Sequence, residues 1–144
     1  MRLFLDTSSL IKLYHEEQDS ESLKNVIVNN PISSIFLSEL TRVEFLSALW
    51  KKRRQGELTT EIVWQIALLF EGDALQFTFM PLDNDIVGSA CDLVSKYGLE
   101  GLRSLDSIQL ATALSLKNNA DLFITSDNLL QTLLVKEQLP TATQ

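Results

Sequence analysis

The sequence predicts a three-layer α/β/α sandwich with a mostly parallel central sheet, formed as a single domain over residues 1–144. Three observations carry this. Four short apolar runs with strand character are each followed by a stretch of helical periodicity. The intervals between successive runs are too long for hairpins, so the strands are joined by crossovers, and the sheet is covered on both faces. A chain of 144 residues that is 45% hydrophobic suffices for one proper core, and not comfortably for two.

Each element follows from local signals. "RLFL" (2–5) is the first strand, and "DTSS" behind it caps a helical "LIKLYHEE". "SESLKNVIVN" reads as the next helix and stops at Asn30-Pro31, because a residue before proline disfavours the helical region. "SIFLS" (34–38) is the second strand, and Ser38 opens a long helix to about Arg54. Its apolar stripe Val43, Leu46, Leu49 and Trp50 is expected to face the core. "TEIVWQIALLFE" is a further helix, closed by Gly72. "LQFTFMPL" (75–82) alternates with period two and reads as the third strand. Asp83 or Asp85 caps the helix through "IVGSACDLVSKY", which Gly98 stops, and Ser104 is the expected cap of the next one. "ADLFITSD" (120–127) is the fourth strand, leading into "NLLQTLLVKEQ".

Composition narrows the chemistry. The net charge of −7 argues against a general nucleic-acid coat, but leaves room for an enzyme that concentrates acids in one site. The one dense basic run, "KKRR" at Lys51 to Arg54, suits a helix C-terminus followed by Gly56 better than a phosphate-binding rim. No apolar run is long enough to span a membrane, and the start of the chain does not read as a signal peptide, so a cytoplasmic protein is expected. With one histidine, His15 in the polar "YHEEQDSE", and one cysteine, Cys91, neither a histidine-built zinc site nor a disulfide is available. His15 is expected to face solvent. Carboxylates and hydroxyls remain.

Four of those carboxylates fall on one edge. Ligands of parallel sheets bind at the carboxyl ends of the strands. Asp6 directly follows the first strand and Asp127 the fourth, Asp106 opens a helix, and Glu44 lies in the helix leaving the second strand. Singly, a capping or dipole role accounts for Asp6, Asp106 and Asp127, whereas Glu44 beside Ser47 and Ala48 suggests a pocket wall. Jointly, two such charges at 4 Å repel by about 4 kcal/mol at an effective dielectric near 20. Either some hold protons or a cation sits among them, and all-oxygen donors point to Mg²⁺ or Mn²⁺ with a phosphoryl substrate.

At this point the residues resemble the PIN-domain ribonucleases, and most closely the VapC-type toxins of toxin–antitoxin pairs. The resemblance rests on "FLDTSSLIKLY", "SELTRVEFLSAL", "LRSLDSIQLATAL" and "ADLFITSDNLL", in order and over the whole chain. It implies a metal-dependent endoribonuclease whose acidic cluster is Asp6, Glu44, Asp106 and Asp127. The first three are expected to hold the ion, and Asp127 to complete the set. It also implies supporting hydroxyls at Thr7 or Ser8 and at Thr125 or Ser126. Separately, Arg42, Lys51 and Arg103 are expected as contacts to an RNA backbone. A cognate antitoxin with a basic inhibitory segment and a homodimer are implied as partners. Two departures are visible: Gln109 stands where many relatives have histidine, and Asn128 where many have arginine. The competing expectations are a PIN-like module that binds without cutting, and a phospho-acceptor enzyme. Ser8 disfavours the latter, since it stands where that chemistry calls for a second aspartate.

Overall fold

The protein is described by a computed structural model covering residues 1–17 and 20–142. The four strands are β1 (Arg2–Leu5), β2 (Ser34–Ser38), β3 (Thr78–Met80) and β4 (Leu122–Ile124). They pair in the order β3-β2-β1-β4, every pair parallel. The helices are α1 (Thr7–Leu10), α2 (Ser20–Asn29), α3 (Leu40–Arg54), α4 (Thr60–Asp73), α5 (Asn84–Tyr97), α6 (Ser104–Ser115) and α7 (Asn128–Lys136).

Alternation along the strands builds two cores. In β1, Leu3 and Leu5 pack on one face with Leu37, Phe45, Leu49 and Phe70, under α1 to α4. Phe4 points the other way and meets Phe123, Leu110, Leu130 and Leu133, under α5 to α7. The expected three layers are therefore present. Because β1 connects onward to β2 on one side and pairs with β4 on the other, the sheet reverses direction beside β1. That places a crevice at the carboxyl ends of β1 and β4.

Several local expectations change. The first helix begins at Thr7 and gives way at Ile11 to a 3-10 turn ending at Leu13, so "YHEE" is not helical. α4 runs through Gly72 to Asp73, with Thr59 as its cap. The third strand keeps only Thr78–Met80 of the expected eight residues, since Ala74–Gln76 forms a 3-10 turn. The cap of α6 is Arg103, whose side chain makes no capping bond, and Ser104 is the first helical residue. Asp83, not Asp85, caps α5 through the Ile86 N–H. Past α5 the chain turns at Gly101, whose φ of +96° lies in the left-handed region that favours glycine.

The largest revision concerns α3. Its buried side is Thr41, Phe45, Leu49 and Lys52, while Val43, Leu46 and Trp50 of the expected core stripe face outward, Val43 being 68% exposed. The helix ends as its basic run suggested, at Arg54, with Gly56 at φ +79° just beyond. Lys52 turns inward and pairs with Glu17 at 2.5 Å and Glu57 at 3.4 Å.

Candidate active site

The crevice beside β1 is furnished from both cores. Asp6 is 4% exposed and caps α1, accepting from the Ser9 N–H at 3.0 Å. Its carboxylate also accepts from the hydroxyls of Ser8 at 2.9 Å, Ser9 at 2.8 Å and Thr125 at 2.6 Å. Burial pushes its pKa up, and these donors pull against that by favouring the charged form. Thr125 Oγ1 in turn accepts from the Asp127 N–H at 3.0 Å, and Ser8 Oγ accepts from the Ser126 N–H at 3.0 Å. Hydroxyls thus tie the end of β1 to the end of β4.

Glu44 is held by a second cluster. Its Oε1 accepts from Thr7 Oγ1 at 2.9 Å and from Gln109 Nε2 at 2.8 Å. The same amide nitrogen lies 3.0 Å from Thr41 Oγ1 and 3.3 Å from Thr7 Oγ1. Gln109 is buried, and its Oε1 is enclosed without a hydrogen-bond partner. Thr7 and Ser8, adjacent in sequence, serve the two acids separately.

Asp106 and Asp127 complete the edge. Asp127 caps α7, accepting from the Leu130 N–H at 2.7 Å. Asp106 sits in the first turn of α6, half-buried. Burial raises its pKa, and the negative charges of Asp127 and Glu44 raise it further, against a downward pull from Arg103. Asp106 therefore lies within the field of a carboxylate from α3 and of one from the end of β4. The side chains do not form a closed cage: among the described residues, no three acidic, histidine or cysteine side chains are grouped to hold an ion. The donors suit a hard divalent cation in kind, being carboxylate and hydroxyl oxygens, and Mg²⁺ commonly binds through one or two carboxylates with water and phosphate filling the rest.

The basic residues divide. Lys51 lines a cavity of about 430 Å³ together with Thr7, Ser8, Glu44 and Leu105. Arg103 lies within the field of Asp106. Arg42 is engaged elsewhere on α3, paired with Glu39 at 2.8 Å and placed over the Phe79 ring at 4.1 Å. His15 is not the solvent-facing residue expected. It is half-buried, with Nδ1 enclosed and without a hydrogen-bond partner among the described residues. Sequence reasoning also passed over Lys12, 6% exposed, although a lysine inside the apolar "SLIKLY" was itself a signal.

The chain belongs to the PIN domain family, whose model matches residues 3–133. PIN domains as a family are nuclease-type hydrolases. Among solved structures, the chain is similar to FitAcB from Neisseria gonorrhoeae, with a TM-score of 0.70 at 14% identity over 98% of this chain and 96% of that one. It is similar to VapC20 from Mycobacterium tuberculosis, a sarcin–ricin-loop-cleaving toxin, with a TM-score of 0.69 at 14% identity over 91% and 94%. A third is VapBC-1 from nontypeable Haemophilus influenzae, with a TM-score of 0.62 at 20% identity over 99% and 97%. No curated protein matches the chain in sequence.

Proposed function

We propose that this chain is a metal-dependent endoribonuclease and the toxin of a VapBC-type pair. The observation that carries this is that Asp106 lies in the field of both Asp127 and Glu44, on the edge where Asp6 is fixed by its hydroxyl donors. Asp106, Glu44 and Asp6 would hold one Mg²⁺ or Mn²⁺, with Asp127 completing the set. A divalent ion bound there supplies a water of lowered pKa and charge neutralisation at phosphorus. Donors on four sides keep the Asp6 carboxylate in one orientation, and Gln109 and Thr7 do the same for Glu44. Ser8 and Ser126 border the crevice and offer polar groups to a phosphate. Attack by water leaves 5′-phosphate and 3′-hydroxyl ends.

The partners follow from charge and surface. An Asp106 crowded by the charges of Asp127 and Glu44 favours a cationic ligand, which supports an antitoxin whose basic segment occupies the site. Trp64 (59% exposed), Leu68 and Leu69 on α4, with Val43 and Trp50 on α3, leave an apolar surface suited to a second copy of this chain. Among the described residues no helix is long and apolar enough to cross a membrane, in keeping with action on cytoplasmic RNA.

Sequencing of RNA ends after induction tests the reading. Wild type should generate new 5′-phosphate ends, while Asp106→Asn, or wild type assayed in EDTA, should generate none; cleavage that persists in both would refute the metal mechanism. A second reading, a PIN-like module that binds RNA or protein without cutting, draws on the open arrangement of the acids. It requires RNA binding with no new ends at any divalent-ion concentration.

A further inference from the structure

Beside the acidic edge lies a cavity of about 640 Å³ whose wall includes Ser8, Lys12, His15, Lys51, Lys52 and Ser126. It shares Ser8, Ile11, Ala48 and Lys51 with the smaller cavity that reaches Glu44, so the two adjoin across these residues. Ser8 is the hinge of this arrangement, its hydroxyl bonded to Asp6 while it walls the cavity.

The cations of this cavity are unevenly matched. Each glutamate in its wall is already committed: Glu16 pairs with Lys24, and Glu17 and Glu57 both pair with Lys52. Lys12 has neither an ion pair nor a hydrogen bond from its side chain among the described residues, although it is 6% exposed. Lys51 has no ion pair among them either. The stem of Lys12 is buried while its ammonium reaches the water of the cavity, so it stands ready for an anionic ligand there. His15 adds a polar group to the same wall, its enclosed Nδ1, which has no hydrogen-bond partner among the described residues.

We infer that this cavity is a phosphate-binding subsite, in which Lys12 and Lys51 take a phosphodiester of the RNA next to the one being cut. The inference rests on the nuclease reading for the identity of the substrate and deepens it. It assigns Lys12 to substrate positioning, beside the Ser8 hydroxyl that donates to Asp6. A singly charged diester fits a lysine pair whose neighbouring carboxylates are spoken for, whereas the acidic edge itself would repel it.

The experiment measures binding of a fluorescent single-stranded RNA by anisotropy, in EDTA, across a potassium chloride series. Lys12→Met keeps the aliphatic stem; Lys51→Met alters an exposed residue and so tolerates the change if the first variant fails to fold. Each phosphate contact contributes about 0.7 to the slope of log affinity against log salt for single strands. Each variant should therefore lose about 0.7 of slope, and Lys136→Met none. An oligonucleotide series carrying one neutral methylphosphonate should reveal a position that costs wild type several-fold in affinity and costs Lys12→Met nothing. Wild-type slopes in both variants overturn the subsite while leaving RNA cleavage by the native protein intact. Lowered slopes without any cleavage in magnesium uphold the subsite and overturn the nuclease reading. Lysine-dependent binding of inorganic phosphate or of an acidic peptide, with none of RNA, overturns the subsite as an RNA contact.

Discussion

Asp106 illustrates how function is held against stability at a single residue. Its carboxyl is raised in the folded state, by burial first and then by Asp127 and Glu44. The ionised form is thus less favourable folded than unfolded, a penalty fully present at neutral pH and lost as pH falls through the raised value. Asp106→Asn should therefore stabilise the fold at pH 7, by under about 1 kcal/mol given the screening at a half-exposed site. The gain should disappear below about pH 3.9, where the unfolded carboxyl is also protonated. Chemical denaturation across pH measures this, and magnesium should raise the Tm of wild type but not of the variant. Gln109 presents the opposite case. Gln109→Leu removes the amide donor shared by Glu44 and Thr41, and should cost about 1–3 kcal/mol in denaturant unfolding together with most of the cleavage rate. The positions of Asp6, Asp106 and Asp127 on one edge were legible from strand ends and a helix start, and that of Glu44 from the small residues beside it in α3. Lys12 was not weighed, since its significance lies in which neighbouring glutamates are already paired, and pairing is decided by the fold.

At the scale of elements, the first core is organised by aromatic contacts between α3, α4 and the 3-10 turn's end. Phe45 lies 4.3 Å from Phe70 and 5.2 Å from Tyr14, centroid to centroid, and Tyr14 donates to Asp73 at 2.7 Å. Phe45→Ala should cost about 3–5 kcal/mol by urea unfolding. Thr59→Ala, which removes the cap of α4, should cost about 1 kcal/mol. Strand and helix order was readable from periodicity throughout. The facing of α3 was not: its apolar residues occupy more than half the helix circumference, so hydropathy alone does not say which arc is buried. Thr41 and Lys52 win places on the inner side because Gln109 and Glu17 meet them there. Likewise Gly72 does not stop α4, because one glycine inside a helix costs only about 1 kcal/mol, which packing on both sides outweighs.

Across the whole molecule, the parallel sheet and its two cores were legible from the alternation of strand and helix signals, and the strand order β3-β2-β1-β4 was not, since it depends on long-range pairing that no local pattern encodes. The exposed face of α3 and α4 carries the corresponding prediction for assembly. Trp64→Glu should shift the protein toward monomer in light scattering with little loss of stability, because Trp64 lies outside both cores.

Thr125 and Asp6 touch at 2.6 Å although 119 positions separate them, and the strand just before Thr125 is itself flanked by the bridge between Phe123 and Thr141. A ribosome making this chain therefore releases almost all of it before the acidic crevice can assemble. Emergence of the last strand and helix, more than any earlier folding step, sets the moment at which Asp6 gains its Thr125 donor and the crevice closes on both sides.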